Sequence, residues 1–171
     1  MTSQQPVVGV VLGSDSDLAT MRRCAEQLAR FAVPFEVRVI SAHRSPDEAH
    51  AYAAAAAERG LKVIIAAAGM SAALAGVMAA KTTLPVIGVP MPSGDLGGVD
   101  AAVSTMQMPP GVPVGCMSVG SAGAVNAAIY AVQILAVGDR RLAAALAELK
   151  ADQARQVAQM NAAVQAELNR Q

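Results

Sequence analysis

The sequence predicts an α/β fold in which helices cover both faces of a five-stranded parallel sheet. Short runs rich in β-branched residues recur along the chain, as expected for buried strands. Between these runs, apolar residues recur at spacings of three or four, the pattern of amphipathic helices. Because strand and helix alternate, we expect a parallel sheet, and five strands favour the three-layer, flavodoxin-like fold with strand order 2-1-3-4-5.

The first predicted elements follow from this periodicity. The five strands are predicted at Val7 to Leu12, Glu36 to Ile40, Lys62 to Ala66, Val86 to Val89 and Val114 to Ser118. The clearest helix follows the first strand, with apolar residues at Leu18, Met21, Ala25, Leu28 and Ala32. Cys24 is expected on the buried side of this helix, and a second, alanine-rich helix is predicted around residues 51–57.

A long helix at residues 139–168 is predicted to end the fold, with Asp139 as its N-cap. Its apolar positions are Leu142, Leu146, Leu149, Val157, Met160, Val164 and Leu168. The first half is expected to pack on the α/β core. The second half extends beyond the sheet, so we expect it to pack on a neighbouring subunit, with a solvated tail as the alternative.

Composition favours a single domain, residues 1–171, with an α/β core at residues 7–137. Hydrophobic residues make up 54% of the chain and charged residues 15%, whereas about a quarter of residues are charged in a typical soluble domain. Charged residues interrupt the alanine-rich stretches, so a membrane span is not expected. The surplus apolar surface therefore predicts a homo-oligomer.

Other features indicate a cytoplasmic protein that does not bind nucleic acid. The first six residues have neither a basic start nor a long apolar segment, so no secretory signal is expected. Cys24 and Cys116 lie far apart in sequence, which favours reduced thiols. The net charge of zero and the 2% aromatic content do not support a nucleic-acid interface.

Polar residues collect where the predicted strands end. In an open parallel sheet, ligands bind at the carboxyl ends of the strands, near the point where the strand order reverses. The loops expected there are residues 13–17, 41–46, 68–71 and 90–95. Their convergence in an otherwise apolar chain predicts a ligand site.

The first of these loops suits a single phosphate group. Gly13 allows a tight turn, Ser14 and Ser16 offer hydroxyl groups, and the following helix N-terminus attracts anions. Asp15 and Asp17 would repel a polyphosphate but can accept hydrogen bonds from sugar hydroxyls. A ribose monophosphate therefore fits this loop.

Three other interpretations of the first loop can be compared. Ser14 to Asp17 could simply cap the helix. The two aspartates could hold magnesium for phosphoryl transfer, although Gly13 and Ser14 separate them from the strand end. A dinucleotide site would require a G-x-G-x-x-G pattern, which the loop lacks.

The second loop combines a histidine with an arginine. His43 is the side chain best able to donate and accept a proton at neutral pH, and Arg44 offers a fixed cation for an anionic group. Pro46 suits the first turn of the next helix, with Ser45 as its cap. A histidine that only ties down its own loop is the alternative, but the position at the switch point favours proton transfer.

No metal site is predicted. His50 lies seven residues after His43, in the helix that Pro46 begins, and is expected to have a packing or surface role. No cysteine or third histidine joins the two histidines.

Several motifs together resemble one enzyme family. GSDSD, SAHRSP, AAKT, PVIGVP and QMPPGVPVG occur in order over roughly residues 7–137. They resemble the phosphoribosylaminoimidazole carboxylase catalytic-subunit family, in particular its N5-carboxyaminoimidazole ribonucleotide (N5-CAIR) mutase class. The resemblance implies an isomerase of purine biosynthesis, a flavodoxin-like subunit in a homo-octamer, and no metal or organic cofactor.

The resemblance also implies roles for individual residues. His43 matches the family's general acid and base, and Ser14, Asp17 and Arg44 match its nucleotide-binding positions. The loop from Gly69 to Ala75 is suited to wall a closed, apolar pocket that retains carbon dioxide. The remaining predicted substrate-binding residues are Gly13, Ser16, Ser41, Ala42, Gly69, Met70, Ser71 and Leu74. An ATP-dependent N5-CAIR synthetase is a possible metabolic partner.

One motif departs from the mutase pattern. The family usually has Gly-Gly-Ala-Ala-His-Leu-Pro-Gly after the third strand, whereas residues 69–76 read GMSAALAG. Ala73 replaces the histidine, which is also missing from the related enzymes that use carbon dioxide directly. Arg44 and the PVIGVP motif favour the mutase, and a direct aminoimidazole ribonucleotide carboxylase is the alternative.

Non-enzymatic modules of the same fold fit less well. A receiver-like signalling domain would need an acidic residue at the end of the third strand, where the chain has alanines. A flavin-binding module is opposed by the aspartates of the first loop.

Overall fold

The computed structural model describes residues 5–170, so most of the stretch considered for a secretory signal lies outside the described residues. The chain forms two compact units, Met1–Ile134 and Leu135–Gln171. The first contains the sheet and its helices.

The sheet has the predicted topology. Its strands are β1 (Val8–Leu12), β2 (Phe35–Val39), β3 (Val63–Ala68), β4 (Val86–Pro90) and β5 (Gly115–Cys116). They form one sheet in the order β2-β1-β3-β4-β5, and every neighbouring pair is parallel. The predicted fold class is thus confirmed.

Strand burial differs between the centre and the edges of the sheet. All five residues of β1 and of β4 are buried, which explains their continuous apolar sequences. β2 is an edge strand whose Val37 and Val39 are exposed, and β5 is the opposite edge. β5 keeps only two of the five predicted residues. Pro113, which has no backbone N–H to donate to a ladder, precedes Val114 and limits the strand at its start, and Met117 and Ser118 lie beyond its end.

A helix follows each strand of the sheet. They are α1 (Leu18–Arg30), α2 (Pro46–Ala55), α3 (Leu74–Ala79), α4 (Val99–Met106) and α5 (Ser121–Ala136), and a short 3-10 helix at Asp15–Asp17 precedes α1. The buried face of α1 contains Met21, Cys24 and Leu28, so Cys24 is buried as predicted. Two residues of the predicted apolar stripe are not: Leu18 is exposed in the first turn, and Ala32 is exposed and lies beyond the end of the helix. Burial raises the pKa of the Cys24 thiol to about 12, so this thiol stays protonated at neutral pH.

One part-buried polar contact ties α2 to the edge strand β2. The Tyr52 hydroxyl of α2 donates to Glu36 Oε1 of β2 at 2.8 Å, and Arg59 Nη2 contacts the same oxygen at 2.5 Å. The Arg59 guanidinium also lies 5.2 Å from the centre of the Tyr52 ring. Gly9 makes room for this contact, because a Cβ there would lie 2.2 Å from the Tyr52 hydroxyl.

The second unit is dominated by α6 (Arg140–Leu168), which matches the prediction. Asp139 caps it by accepting hydrogen bonds from Arg141 N at 2.8 Å and Leu142 N at 3.2 Å. Four apolar side chains of its second half are more than half exposed: Val157, Met160, Val164 and Leu168. Within residues 5–170, no helix combines the length and the apolar character needed to cross a bilayer.

Candidate functional site

Four loops meet at the carboxyl edge of the sheet. Gly13 N donates to Ala67 O at 2.9 Å, which joins the ends of β1 and β3. Arg44 Nη2, after β2, donates to Gly13 O at 3.2 Å. Met91 N, after β4, donates to Ala68 O at 2.9 Å. The polar loops predicted from sequence therefore lie side by side.

The first loop is a capping box that begins at Ser14. The Ser14 hydroxyl accepts from Ser16 N at 3.4 Å, and Ser14 N donates to Asp17 Oδ2 at 3.2 Å. Capping therefore accounts for part of this polar cluster. Ser16 Oγ lies 3.0 Å from Ser14 Oγ, and Ser16 is exposed at the rim.

Asp17 is one of the buried polar residues of the described chain, with 8% of its surface exposed. Its burial raises the pKa of the carboxyl, and the Asp15 charge adds to this, whereas the hydrogen bond from Ser14 N lowers it. A group that donates hydrogen bonds to this carboxylate would favour its charged form. A sugar hydroxyl has that chemistry.

The magnesium interpretation of Asp15 and Asp17 loses support because both carboxylates are used within the loop. Asp17 accepts from Ser14 N, and Asp15 Oδ1 lies 3.2 Å from Ser14 Oγ. Among residues 5–170, no three His, Cys, Asp or Glu side chains are placed to hold a metal ion.

Arg44 and Ser41 organise the second loop. Ser41 Oγ accepts from Arg44 N at 3.2 Å and from Arg44 Nε at 3.3 Å. With Nη2 on Gly13 O, the guanidinium links the second loop to the first. Arg44 is nevertheless exposed and retains N–H groups for an anion.

Ser45 requires a correction. It occupies the N-cap position of α2, as predicted, but its side chain makes no capping hydrogen bond to that helix. Instead, Ser45 Oγ donates to Ser41 O at 3.1 Å and accepts from Ser41 N at 3.2 Å. The hydroxyl therefore closes the loop on Ser41 and is not available to the amides of the helix.

His43 is exposed at the top of this turn, and Ala42 before it is half-buried. Within the described residues, no hydrogen bond or ion pair holds the His43 ring; Ser41, Arg44 and Ser45 fix the loop in its place. The loop therefore does not depend on the imidazole, which weakens the purely structural interpretation. His50 lies exposed on α2, away from the turn.

The third loop is shorter than predicted, because Leu74 and Ala75 already belong to α3. Gly69 faces the fourth loop so closely that a Cβ there would lie 1.6 Å from Ser93 Oγ. Met70 and Ser71 are exposed at the rim. Leu74 is 1% exposed and belongs to the core beneath the loop, so it is not at the surface with the other predicted residues.

Ser93 is the residue of this rim that sequence reasoning did not single out. It follows β4 and is half-buried against Gly69. A serine between Pro92 and Gly94 at a strand end was the only available signal. The contact with Gly69 depends on the tertiary fold.

Comparison with known proteins identifies the family. A sequence model described as AIR carboxylase matches residues 7–156. The chain belongs to the AIR carboxylase family. The resemblance predicted from the motifs is thus confirmed, and the family model extends into the first half of α6.

Individual relatives agree with this assignment. The chain is 54% identical over 144 residues to the N5-carboxyaminoimidazole ribonucleotide mutase of Bacillus subtilis, covering 84% of this chain and 89% of that one. It is 52% identical over 132 residues to the bifunctional purine synthesis protein purC/E of Dictyostelium discoideum, covering 77% of this chain and 13% of that one. The crystal structure of Treponema denticola PurE superposes with a TM-score of 0.80 at 25% identity, covering 90% and 95% of the two chains.

The third loop is where this member of the AIR carboxylase family differs from the pattern named above. Met70 occupies the position of the second glycine, and its φ of 56° is the left-handed conformation that favours glycine. Ala73, half-buried just before α3, offers no acid or base. His43 is therefore the histidine of the described rim.

Proposed function

We propose that this protein is an N5-CAIR mutase of purine biosynthesis, an isomerase that moves a carboxylate from the exocyclic nitrogen of the substrate to C4 of its imidazole ring. The observation that carries the proposal is the unpaired, exposed His43 beside Arg44 at the meeting point of the strand-end loops. The name of the Bacillus subtilis relative, at 54% identity, supports it.

His43 is proposed to move one proton twice. The imidazolium donates a proton to the exocyclic nitrogen while the N–C bond breaks, the electron pair stays on nitrogen, and carbon dioxide leaves. C4 of the ring then attacks the carbon dioxide, a C–C bond forms, and the C4 proton returns to His43. Protons and electrons balance without a co-reactant, and an imidazole, which can both donate and accept a proton, suits both steps.

The first and second loops are proposed to hold the ribose monophosphate. Arg44, Gly13 and the hydroxyls of Ser14 and Ser16 are proposed to bind the phosphate. The contacts of Arg44 with Gly13 O and of Ser16 with Ser14, which bring these groups together, support this. Asp17 is proposed to accept hydrogen bonds from ribose hydroxyls. Ser41, Ala42, Gly69, Met70, Ser71 and Leu74 complete the proposed pocket, with Leu74 acting from the core.

A direct aminoimidazole ribonucleotide carboxylase is the second candidate. Ala73 in place of the usual histidine favours it, whereas Arg44 and PVIGVP favour the mutase. Two parallel assays separate them by following formation of the C4-carboxylated product (CAIR). Rapid product formation from N5-CAIR alone supports the mutase. Efficient use of aminoimidazole ribonucleotide with bicarbonate or carbon dioxide supports the carboxylase, and failure of both assays would refute the proposed function.

The proposal extends to assembly and cellular context. We propose a cytoplasmic homo-octamer in which the exposed apolar side chains of α6 pack on a neighbouring subunit. We also propose metabolic coupling to an ATP-dependent N5-CAIR synthetase that supplies the carboxylated substrate. The related segment within the longer purine synthesis protein of Dictyostelium discoideum supports a link to neighbouring steps of purine synthesis.

A further inference from the structure

Met70 has a strained backbone and an exposed apolar side chain at the rim of the site. Among the described residues other than glycine, only Ala32 and Met70 have positive φ, at 52° and 56°. A side chain in this region costs free energy because Cβ crowds the following carbonyl. The Met70 side chain gains little from burial in the free protein, since the residue is 61% exposed. Packing in the free protein therefore does not explain why a methionine stands here.

The surrounding loops hold Met70 in place. Ala72 N donates to Met70 O at 2.8 Å and closes a tight turn after it. Before it, Gly69 lies so close to Ser93 of the fourth loop that no side chain would fit between them. Met70 Cγ lies 3.6 Å from where a Cβ on Gly94 would stand, so its side chain reaches the fourth loop. Strain maintained in this way at a site rim is typical of residues that contact a ligand.

The position also lies close to the predicted chemistry. Gly13, which Arg44 contacts, is adjacent to Ala68, two residues before Met70. The same turn contains Ala73, where the family usually has a histidine. This chain thus adds an apolar side chain at one position of the turn and lacks an imidazole three residues later.

We propose that Met70 is a specificity-determining residue that covers the migrating carboxylate and retains carbon dioxide between its release from nitrogen and its capture by C4. Carbon dioxide is small, uncharged and apolar, and the flexible thioether side chain can pack on it and exclude water. This inference rests on the proposed mutase function. In this proposal, Met70 retains the carbon dioxide, and this retention decides whether the carboxylate transfer remains intramolecular.

The test measures leakage during turnover. Wild type and variants convert unlabelled N5-CAIR in the presence of isotopically labelled bicarbonate and carbonic anhydrase, and the label in the C4-carboxylated product is quantified by mass spectrometry. Met70→Ala should raise the labelled fraction about tenfold, the factor that corresponds to losing part of the apolar contact that the methionine side chain is proposed to make with carbon dioxide. Met70→Leu, which keeps an apolar side chain, should restore much of the retention.

Two glycine variants distinguish the effect of the Met70 side chain on carbon dioxide retention from the effect of relieving a strained backbone. Met70→Gly and Ala32→Gly each relieve a left-handed backbone, so each should raise the thermal midpoint by about 2 °C. Only Met70→Gly should also raise label incorporation, because Ala32 lies just after α1 and outside the rim.

The outcomes distinguish this inference from the function on which it rests. If wild type forms no product from N5-CAIR, the mutase function fails. If wild type is active with little label but Met70→Ala and Met70→Gly incorporate no more than wild type, the role of Met70 is refuted while the mutase function stands. Increased labelling by Ala32→Gly would equally refute a specific role for Met70.

Discussion

At the residue scale, Arg44 is the side chain that joins two loops of the site. Its Nε and Nη2 donate to Ser41 Oγ and to Gly13 O. A lysine keeps the positive charge but cannot make both contacts, because its ammonium is a single point. The role of Arg44 therefore depends on the shape of the guanidinium as well as on its charge.

Arg44→Lys should raise KM for the nucleotide about tenfold, because hydrogen bonds to charged groups contribute about 1.5–3 kcal/mol. Steady-state kinetics with N5-CAIR measure the effect, and kcat should change much less. Arg23→Lys, on the exposed side of α1, is the matched control and should leave both constants unchanged. A KM equal to wild type in Arg44→Lys would contradict the proposed binding role.

At the scale of elements, the Glu36, Tyr52 and Arg59 contact fixes β2 and α2 on either side of the His43 loop. Burial of the Glu36 carboxylate opposes its ionisation, but hydrogen bonds from Arg59 and Tyr52 outweigh burial and hold its pKa below the ordinary value. The contact should therefore stabilise the fold when Glu36 is charged.

Tyr52→Phe should lower the free energy of unfolding by about 1.5 kcal/mol at neutral pH, because it removes a hydrogen bond to a charged acceptor. Denaturant unfolding of the two proteins measures this difference.

The contribution of Glu36 to stability should depend on pH. Since the folded pKa of Glu36 is lowered, its contribution is present above the unfolded value near 4.5 and is lost as pH falls through the folded pKa. Denaturant unfolding at several pH values should thus show the wild-type advantage over Glu36→Gln shrinking below pH 4.5.

Tyr130→Phe is the control for the Tyr52→Phe variant. Tyr130 is the other tyrosine of the chain, it is exposed, and its substitution should change stability by less than about 0.5 kcal/mol. Equal effects of the two tyrosine substitutions would mean that the Glu36 contact does not stabilise the fold.

Local sequence signals predicted the elements well and their contacts poorly. Alternating strands and helices were sufficient for the strand order, and Asp139 was recognised as a cap because its partners lie two and three residues away. Ser45 was assigned the wrong partner because two local donors, Ser41 N and the first amides of α2, compete for one hydroxyl oxygen.

Long-range contacts of the site were not visible in the sequence. The pairing of Gly69 with Ser93 joins the ends of two strands. Tyr52 meets Glu36 across 16 residues, and Arg44 meets Gly13 across 31. Such contacts depend on the folded sheet, so sequence reasoning located the loops of the site but not the bonds between them.

At the scale of the whole molecule, part of the apolar composition is found in exposed side chains on two helices. The second half of α6 exposes Val157, Met160, Val164 and Leu168, and α4 exposes Val99, Val103 and Met106. Exposed apolar faces of this extent favour burial against other copies. The proposed octamer would have about eight times the 17.3 kDa mass of one chain.

The double variant Val157→Glu with Met160→Glu should reduce the mass in solution measured by light scattering, because two charges would have to be buried at the proposed contact. The paired control is Gln156→Glu with Gln159→Glu, which adds the same charge at neighbouring exposed positions and should keep the wild-type mass. A wild-type protein that is monomeric would refute the assembly, and so would an unchanged mass in the Val157 and Met160 variant.

The most direct test of the account as a whole compares His43→Asn with His50→Asn in turnover of N5-CAIR and in nucleotide binding by calorimetry. His43→Asn should lose about 100-fold to 10,000-fold in turnover while still binding the nucleotide, as expected when a general acid and base is removed. His50→Asn, exposed on α2, should behave as wild type. Undiminished turnover in His43→Asn would contradict the proposed proton transfer at this site.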